Sequence, residues 1–453
     1  MGGGRVFKSR PVRVAVLLAG MLGALVPAGL SPLPGAAQGR PSGGAVRAVL
    51  DNGLTVIVQE HRAADMVALH TWVRVGSKDE DDATNGAAHF LEHMLFKGTA
   101  KRRAGEMDRE VEGVGGVLNA GTSLDWTYYH VVAPGRYFDQ MLELQSDAIM
   151  HSMLDPSELE RERRVVLEEI SRRDNFPATR ALELLRGLAF TVHPYRRSVL
   201  GTRAAIERMP RETLLRFYRT YYVPDNMTVV VVGNVRTAQA LAGVRRAYAG
   251  FGGPPVLRLP APVEPPMEGV RRLVAEQDVR VAYLAIGFPG PMVRDRDVHA
   301  TDVLAYAMGR GLGARLRQQV VERARLAQSI GVSFLTTEDP YLFVVSAVTE
   351  PAHVERAEAA ILTELTAVAD QGITEVELVR ARNLLEGEHV YGTHTTRGQA
   401  YTLGFYATIA DPEFASTYLA RIRQVTGDDV QRVARRLFDP RRYAVAVIRP
   451  AGR

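Results

Sequence analysis

Part of this chain repeats itself, and the repeat limits what it can fold into. The segment IERMPRETLLRFYRTYYVPDNMTVVVV (206–232) lies over IRQVTGDDVQRVARRLFDPRRYAVAVI (422–448) without a gap, at an offset of 216. In both copies an acidic residue, Glu212 or Asp428, opens an amphipathic helix. The helix runs to an aromatic residue, Tyr222 or Phe438; a proline follows, Pro224 or Pro440, and a β-branched strand closes the segment. VALHTW and VAYLAI suggest a second pair of matching strands at an offset of 214. A chain of 453 residues exceeds what one hydrophobic core holds, so the repeat reads as two domains of one type. Between the copies, the six prolines of FGGPPVLRLPAPVEPPMEG (251–269) exclude a continuous helix or central strand and predict an extended linker. Strands such as LTVIVQE and VALHTWVRVG are not strictly interleaved with helices, and no Gly-rich dinucleotide fingerprint follows them. The expected fold class is therefore α+β: two homologous α/β-sandwich domains, each a mostly antiparallel sheet backed by helices. The expected boundaries are 45–250, the linker at 251–269, and 270–453.

The start of the chain differs in kind. Arg5, Lys8, Arg10 and Arg13 precede VAVLLAGMLGALV, an apolar run with the length of a signal-peptide core and too short to span a bilayer comfortably. Small residues follow in PGAAQG, which places cleavage after Ala37 and export to a periplasm or the exterior, with no stable membrane span in the mature chain. An uncleaved amphipathic anchor is the alternative. Residues 1–37 carry four basic and no acidic side chains, so their removal takes the formal charge from +5 to +1 (5 − 4). No dense basic run with interleaved aromatics remains, which argues against nucleic acid as a partner. The chain has no cysteine, so an exported form relies on its cores rather than disulfides and suits a bacterial periplasm.

Two readings compete for HFLEH (89–93). His89 and His93 are one helical turn apart and share a face, with Glu92 beside it. The motif is either a metal site carrying its own base or the polar edge of an amphipathic helix. Asn85 and Gly86 suit a helix start, and Lys97 and Gly98 a stop. A catalytic zinc takes three protein ligands and keeps an open position, so a third ligand is needed elsewhere. The candidate helix begins at Asp155 as N-cap, with Pro156 first and Glu158 completing a capping-box pattern. In it Glu162, Val165, Val166 and Glu169 share one stripe, and a carboxylate within an apolar stripe wants a partner or a metal. Glu169 fits that description. Glu168 points away and reads as a solvated charge, and Glu162 is either a supporting group or a partner for Arg163 or Arg173.

HxxEH followed 76 positions later by a glutamate (169 − 93) resembles the pitrilysin/insulinase family of inverted zinc metallopeptidases, which includes mitochondrial processing peptidase. The words AAHFLEHMLFKGT, GGVLNAGTSLDWTYYHV, ERRVVLEEI, HPYRRSVLGT and YYVPDNMTVVVVGNV occur in that family's order, from about residue 45 onward. The resemblance implies one Zn2+ per chain on His89, His93 and Glu169, with Glu92 as general base acting on a zinc-bound water. It implies a supporting catalytic role for Glu162, and it assigns Asn119 and Ala120 to a strand that pairs with extended peptide substrate.

Offsets of 214 to 216 carry the three ligand positions onto residues 303–305, 307–309 and 383–385, and none of these triplets could rebuild the metal site. The second half thus keeps the plan without the chemistry. By resemblance it closes over the substrate and offers an arginine and a tyrosine to the carbonyl oxygen; Arg397, Tyr401 and Tyr406 are the candidates, a helix with an aromatic face being the other reading of them. His389 and His394, five apart, have poor helical ligand spacing. Relatives of this length work as pairs, so the expected partner is a second copy or a distinct related subunit. The leading expectation is an exported zinc endopeptidase acting on peptides or small unfolded polypeptides in a chamber between domains. A non-catalytic or partner-dependent assembly subunit is the alternative.

Overall fold

The computed structural model describes residues 44–451, so the expected signal segment lies outside the described residues. Two sheets organise the molecule. The first contains β1 (Val46–Val49), β2 (Thr55–Glu60), β3 (Met66–Val73), β4 (Val117–Thr122), β5 (Thr127–Pro134) and β6 (Met227–Gly233), in the order β1-β2-β6-β3-β5-β4. The second contains β7 (Arg271–Gln277), β8 (Ala282–Pro289), β9 (Ser329–Phe334), β10 (Leu342–Thr349) and β11 (Ala444–Pro450), in the order β7-β11-β8-β10-β9. Without β1 the two orders coincide strand for strand. In each sheet one pairing is parallel, that of the repeat strand β6 or β11 with β2 or β7, because the repeat strand arrives after a long helical crossover; the other pairings are antiparallel. The α+β class with two mostly antiparallel, helix-backed sheets holds.

Pairing register corrects one sequence alignment. His70 lies opposite Val230, and Ala285 lies opposite Ala446, the residue that the 216 offset places on Val230. β3 and β8 therefore match at 215 (285 − 70), not 214. The difference matters, since a one-residue slip turns every side chain to the other face.

On one face each sheet packs its own half's helices. Val229 and Val231 join Phe90, Leu91 and Leu214, while Val445 and Val447 join Val303, Leu304 and Val433. The other face is covered by a helix from the opposite half. Helix Thr396–Ile409 lies on β3 and β6, and helix Pro177–Ala189 lies on β8 and β11. Large and small residues are swapped between these two contacts. Gly404 of the exchanged helix sits on Trp72, where a Cβ would come within 1.9 Å of the indole nitrogen, whereas Gly287 of the second sheet faces Leu185. Each large buried side chain contributes roughly 1.5–3 kcal/mol, so the exchange ties the halves by apolar burial.

Residues 251–268 form no helix or strand, as six prolines require. Arg258 anchors this stretch to Asp79 at 2.9 Å, and the Glu264 carboxylate accepts the backbone N–H groups of Thr191, Val192 and His193 at 2.8–2.9 Å. Among the described residues no helix is long and apolar enough to cross a membrane.

Candidate metal centre

Helix Ala87–Leu95 carries the HFLEH motif, and all nine of its residues are buried. Its N-cap is Gly86, at φ +98°, where a Cβ would meet Gly201 at 2.9 Å; Gly86 offers no capping side chain. Glu80 closes the helix from outside. Its carboxylate accepts Gly86 N–H at 2.7 Å and Ala88 N–H at 2.8 Å. Asn85 does not cap; its amide donates to Glu80 and to the Ser198 carbonyl, both at 2.9 Å. Burial pushes the Glu80 carboxyl up to about 8, opposed by these hydrogen bonds. Periodicity carries no signal for Glu80, because it lies outside the helix it caps.

The motif helix crosses helix Pro156–Asp174, and the crossing brings Glu169 to the two histidines. Glu169 Oε2 lies 3.5 Å from His89 Nε2 and 3.6 Å from His93 Nε2, and one donor atom from each residue falls within 4.8 Å of the others. Tetrahedral bonds of about 2.0–2.1 Å separate neighbouring donors by about 3.4 Å, so the spacing suits zinc. Among the described residues His89 Nε2, His93 Nε2 and Glu169 Oε2 are buried without a hydrogen-bond partner. Buried polar atoms are normally paired, and three unpaired donors facing one point fit a cation.

His93 is held from behind. Its Nδ1 lies 3.0 Å from Glu162 Oε2, and Glu162 Oε1 lies 2.7 Å from Lys97 Nζ. Burial works to lower the His93 pKa, but the Glu162 and Glu169 carboxylates outweigh it and raise it to about 9. A divalent cation would replace the Nε2 proton while Glu162 keeps Nδ1–H. Glu162 therefore pairs with His93 and Lys97 rather than with Arg163 or Arg173. His89 has no such support, since its Nδ1 is also unpartnered.

Glu92 points beside the cluster. One carboxylate oxygen accepts the Thr122 hydroxyl and the other is buried without a partner. Burial pushes this carboxyl up to about 7, partly offset by His93 and by the Thr122 hydrogen bond. A carboxylate poised there suits a general base at neutral pH. Thr122 ends β4, which among the described residues is paired only with β5 and so has one open edge. Asn119 and Ala120 lie on that edge strand, with the Asn119 side-chain oxygen accepting Ala120 N–H at 2.8 Å.

Comparison with known proteins agrees with this geometry. The family description "Insulinase (Peptidase family M16)" matches residues 55–203, and "Peptidase M16 inactive domain" matches residues 208–385. An uncharacterized zinc protease of Streptomyces coelicolor is 32% identical over 414 residues, covering 89% of each chain. The chain belongs to the M16 (insulinase) family of peptidases. A probable mitochondrial-processing peptidase subunit beta of Arabidopsis thaliana is 28% identical, covering 88% of this chain and 77% of its own. The crystal structure of a protease from Helicobacter pylori superposes with a TM-score of 0.85 at 26% identity, covering 90% of this chain and 100% of the other.

Three details of this M16 chain differ from the sequence reading. Glu158 does not complete a capping box. Asp155 accepts the Ser157 and Glu158 N–H groups, but the Glu158 carboxylate pairs with Arg161. The buried stripe is Leu159, Glu162, Val166 and Ile170, with Glu169 at its margin, while Val165 is 39% exposed because it leans one position off the contact. Finally, the structure does not bring Tyr401 and Tyr406 to the cluster. Ala120, Thr122 and Tyr129 face the motif helix, so Tyr128 and Trp72 face the other way, and Tyr401 packs on them at 5.5 and 5.2 Å. Tyr406 stacks on Phe414 at 4.6 Å. Both tyrosines thus follow the aromatic-face reading, and exposed Arg397 begins the same helix on that far face. Glu168 is exposed, as expected, and His389 stacks on Tyr418 at 5.4 Å.

Proposed function

We propose that this chain is a zinc endopeptidase, exported to a periplasm or the exterior, that hydrolyses peptides or small unfolded polypeptides enclosed between its domains. The observation that carries the reading is the convergence of unpartnered, buried His89 Nε2, His93 Nε2, Glu169 Oε2 and Glu92 Oε1 beside the open edge of β4. The names of its zinc-protease relatives support the same class. In this reading His89, His93 and Glu169 hold one Zn2+, which when bound supplies Lewis acidity to the scissile carbonyl and to water. Glu92 takes the proton of the attacking water and delivers it to the leaving amine. Glu162 fixes the tautomer and orientation of His93. The β4 edge, at Asn119 and Ala120, accepts extended peptide by strand addition, which reads backbone more than side chains.

The domain plan follows: residues 1–37 as a cleaved signal, 45–250 as the metal-bearing domain, 251–269 as the linker, and 270–453 as the inactive repeat. With Tyr401 and Tyr406 packed internally, a second copy or a related subunit supplies further groups that complete this enclosure over the substrate. The test compares the purified chain with Glu92→Gln for bound metal and for hydrolysis of a mixed peptide library. One zinc per chain in both, with hydrolysis only in the unmutated form, is expected. Equal hydrolysis would overturn the role of Glu92. Metal without activity in either would favour a partner-dependent assembly subunit.

A further inference from the structure

A second set of unpaired polar groups lies on the opposite face of the first sheet. His70 and His130 are cross-strand partners on β3 and β5, with ring centroids 5.0 Å apart. Both are buried, and among the described residues all four ring nitrogens lack a hydrogen-bond partner. The neighbouring residue on the edge strand, directly opposite His130, is Asn119. Tyr128 stacks on His130 at 5.4 Å and bounds the row on one side.

The exchanged helix roofs this row. Tyr401 sits on Trp72 and Tyr128, and Gly404 on Trp72. One helical turn before Tyr401, Arg397 falls level with His70 and His130, two residues along the same strands. Its charge, after burial, helps hold His130 down to about 4, so both rings are neutral at physiological pH. Among the described residues Arg397 is exposed, with no hydrogen bond and no acidic partner. The helix it begins adds the positive end of its dipole.

The repeat supplies an internal control. Through the pairing registers, His70, His130 and Asn119 correspond to Ala285, Ser346 and Gly331. The two exchanged helices match at an offset of 219 (404 − 185), which places Ala178 where Arg397 stands. The same architecture is thus built in the other half with small residues. The fold does not require two histidines and an arginine here. They meet only on the sheet of the half that carries the metal cluster, in the row that continues from its open edge strand, with Arg397 supplied by the exchanged helix of the second half.

A peptide added beside β4 sends alternate side chains to the two faces of the sheet, and those on this face enter at Asn119. We infer that Asn119, His130, His70 and Arg397 form a subsite for a carboxylate of the bound peptide, either an acidic side chain or the C-terminal carboxylate. Neutral imidazoles can each donate one N–H, and the guanidinium supplies the charge. Neither a cationic nor an apolar substituent answers an unpaired arginine and two unpaired imidazoles.

This inference rests on the peptidase reading, and it is tested by binding to the Glu92→Gln form, which needs no turnover. Fluorescent peptides that differ only in Asp or Glu against Asn or Gln at each position, and in a free against an amidated C-terminus, are titrated by anisotropy. One carboxylate position is expected to bind at least about tenfold tighter than its amide, and which arm shows it identifies the source. Arg397→Ala, His130→Ser or His70→Ala, each introducing the residue at the matching position of the repeat, should bring that ratio close to one. Arg397 is exposed, so its variant reports even where a buried-histidine variant fails to fold. Equal affinity for all acid and amide pairs, or a preference that survives Arg397→Ala, would overturn the subsite. Absence of hydrolysis by the unmutated chain would instead fall on the peptidase reading.

Discussion

Glu162 and His93 form a 3.0 Å carboxylate–imidazole pair that is itself anchored by Lys97, so one histidine of the candidate centre is oriented and the other, His89, is not. The asymmetry makes Glu162 the main support of the site. Glu162→Ala should leave the fold intact and weaken zinc roughly 10–100-fold, measured by competition with a chromophoric chelator. Glu162→Gln keeps the volume and one acceptor and should lose less. Unchanged affinity in both would remove Glu162 from the site.

Glu80 acts on the same helix from its other end. Glu80→Ala leaves the buried N–H groups of Gly86 and Ala88 without an acceptor, at about 1–3 kcal/mol for each orphaned donor. Urea unfolding of the metal-free protein should show the loss, with Glu80→Gln intermediate because its amide keeps one acceptor oxygen. Since the first turn includes His89, zinc affinity should fall as well. A stability like that of the unmutated chain would mean the helix start is held by packing alone.

Much of this was legible in the sequence, for a physical reason in each case. The two domains followed from the 216-residue repeat, because helix, turn and strand each leave a local pattern. The metal motif followed from turn spacing. Glu169 was singled out as a carboxylate on an apolar stripe, although it lies at that stripe's margin, beside the two histidines. The exchange of helices was not legible, since an amphipathic stripe shows that a helix is covered but not by which half. For the same reason Tyr401 read as a candidate for substrate when it is a packing residue on Trp72. Glu80 and the His70–His130 row were invisible because they depend on register and on contacts between elements, and the 214 alignment failed by the single residue that decides a strand's face.

The helix exchange predicts a reversal of the usual glycine rule. In a helix interior Gly→Ala ordinarily stabilises by about 1 kcal/mol. At Gly404 the new Cβ would meet fully buried Trp72 at 1.9 Å, and a packed indole cannot give way cheaply. Gly404→Ala should therefore destabilise by about 1–3 kcal/mol despite the better propensity. Gly287→Ala, whose nearest contact is flexible Leu185 at 3.1 Å, should cost less. Thermal unfolding of the two variants settles the order, and a stabilised Gly404→Ala would mean the helix does not lie on Trp72.

Asp302, in the second half's helix Val298–Gly309, gives a pH prediction independent of the metal. Among the described residues its carboxylate's one hydrogen bond is from the Tyr418 hydroxyl at 2.9 Å, and burial raises its pKa to about 7. The unfolded value is about 3.9. Because the folded value is the higher one, the folded chain holds this proton more tightly. The associated stability is fully present below about pH 4 and is lost as pH rises through 7. An asparagine side chain carries no such proton, so Asp302→Asn should gain on the unmutated chain between pH 5 and pH 8, by about 1–2 kcal/mol after allowance for partial exposure. Urea unfolding of both proteins at the two pH values measures the change. A constant difference would show that Asp302 is ionised in the fold and that burial does not govern it.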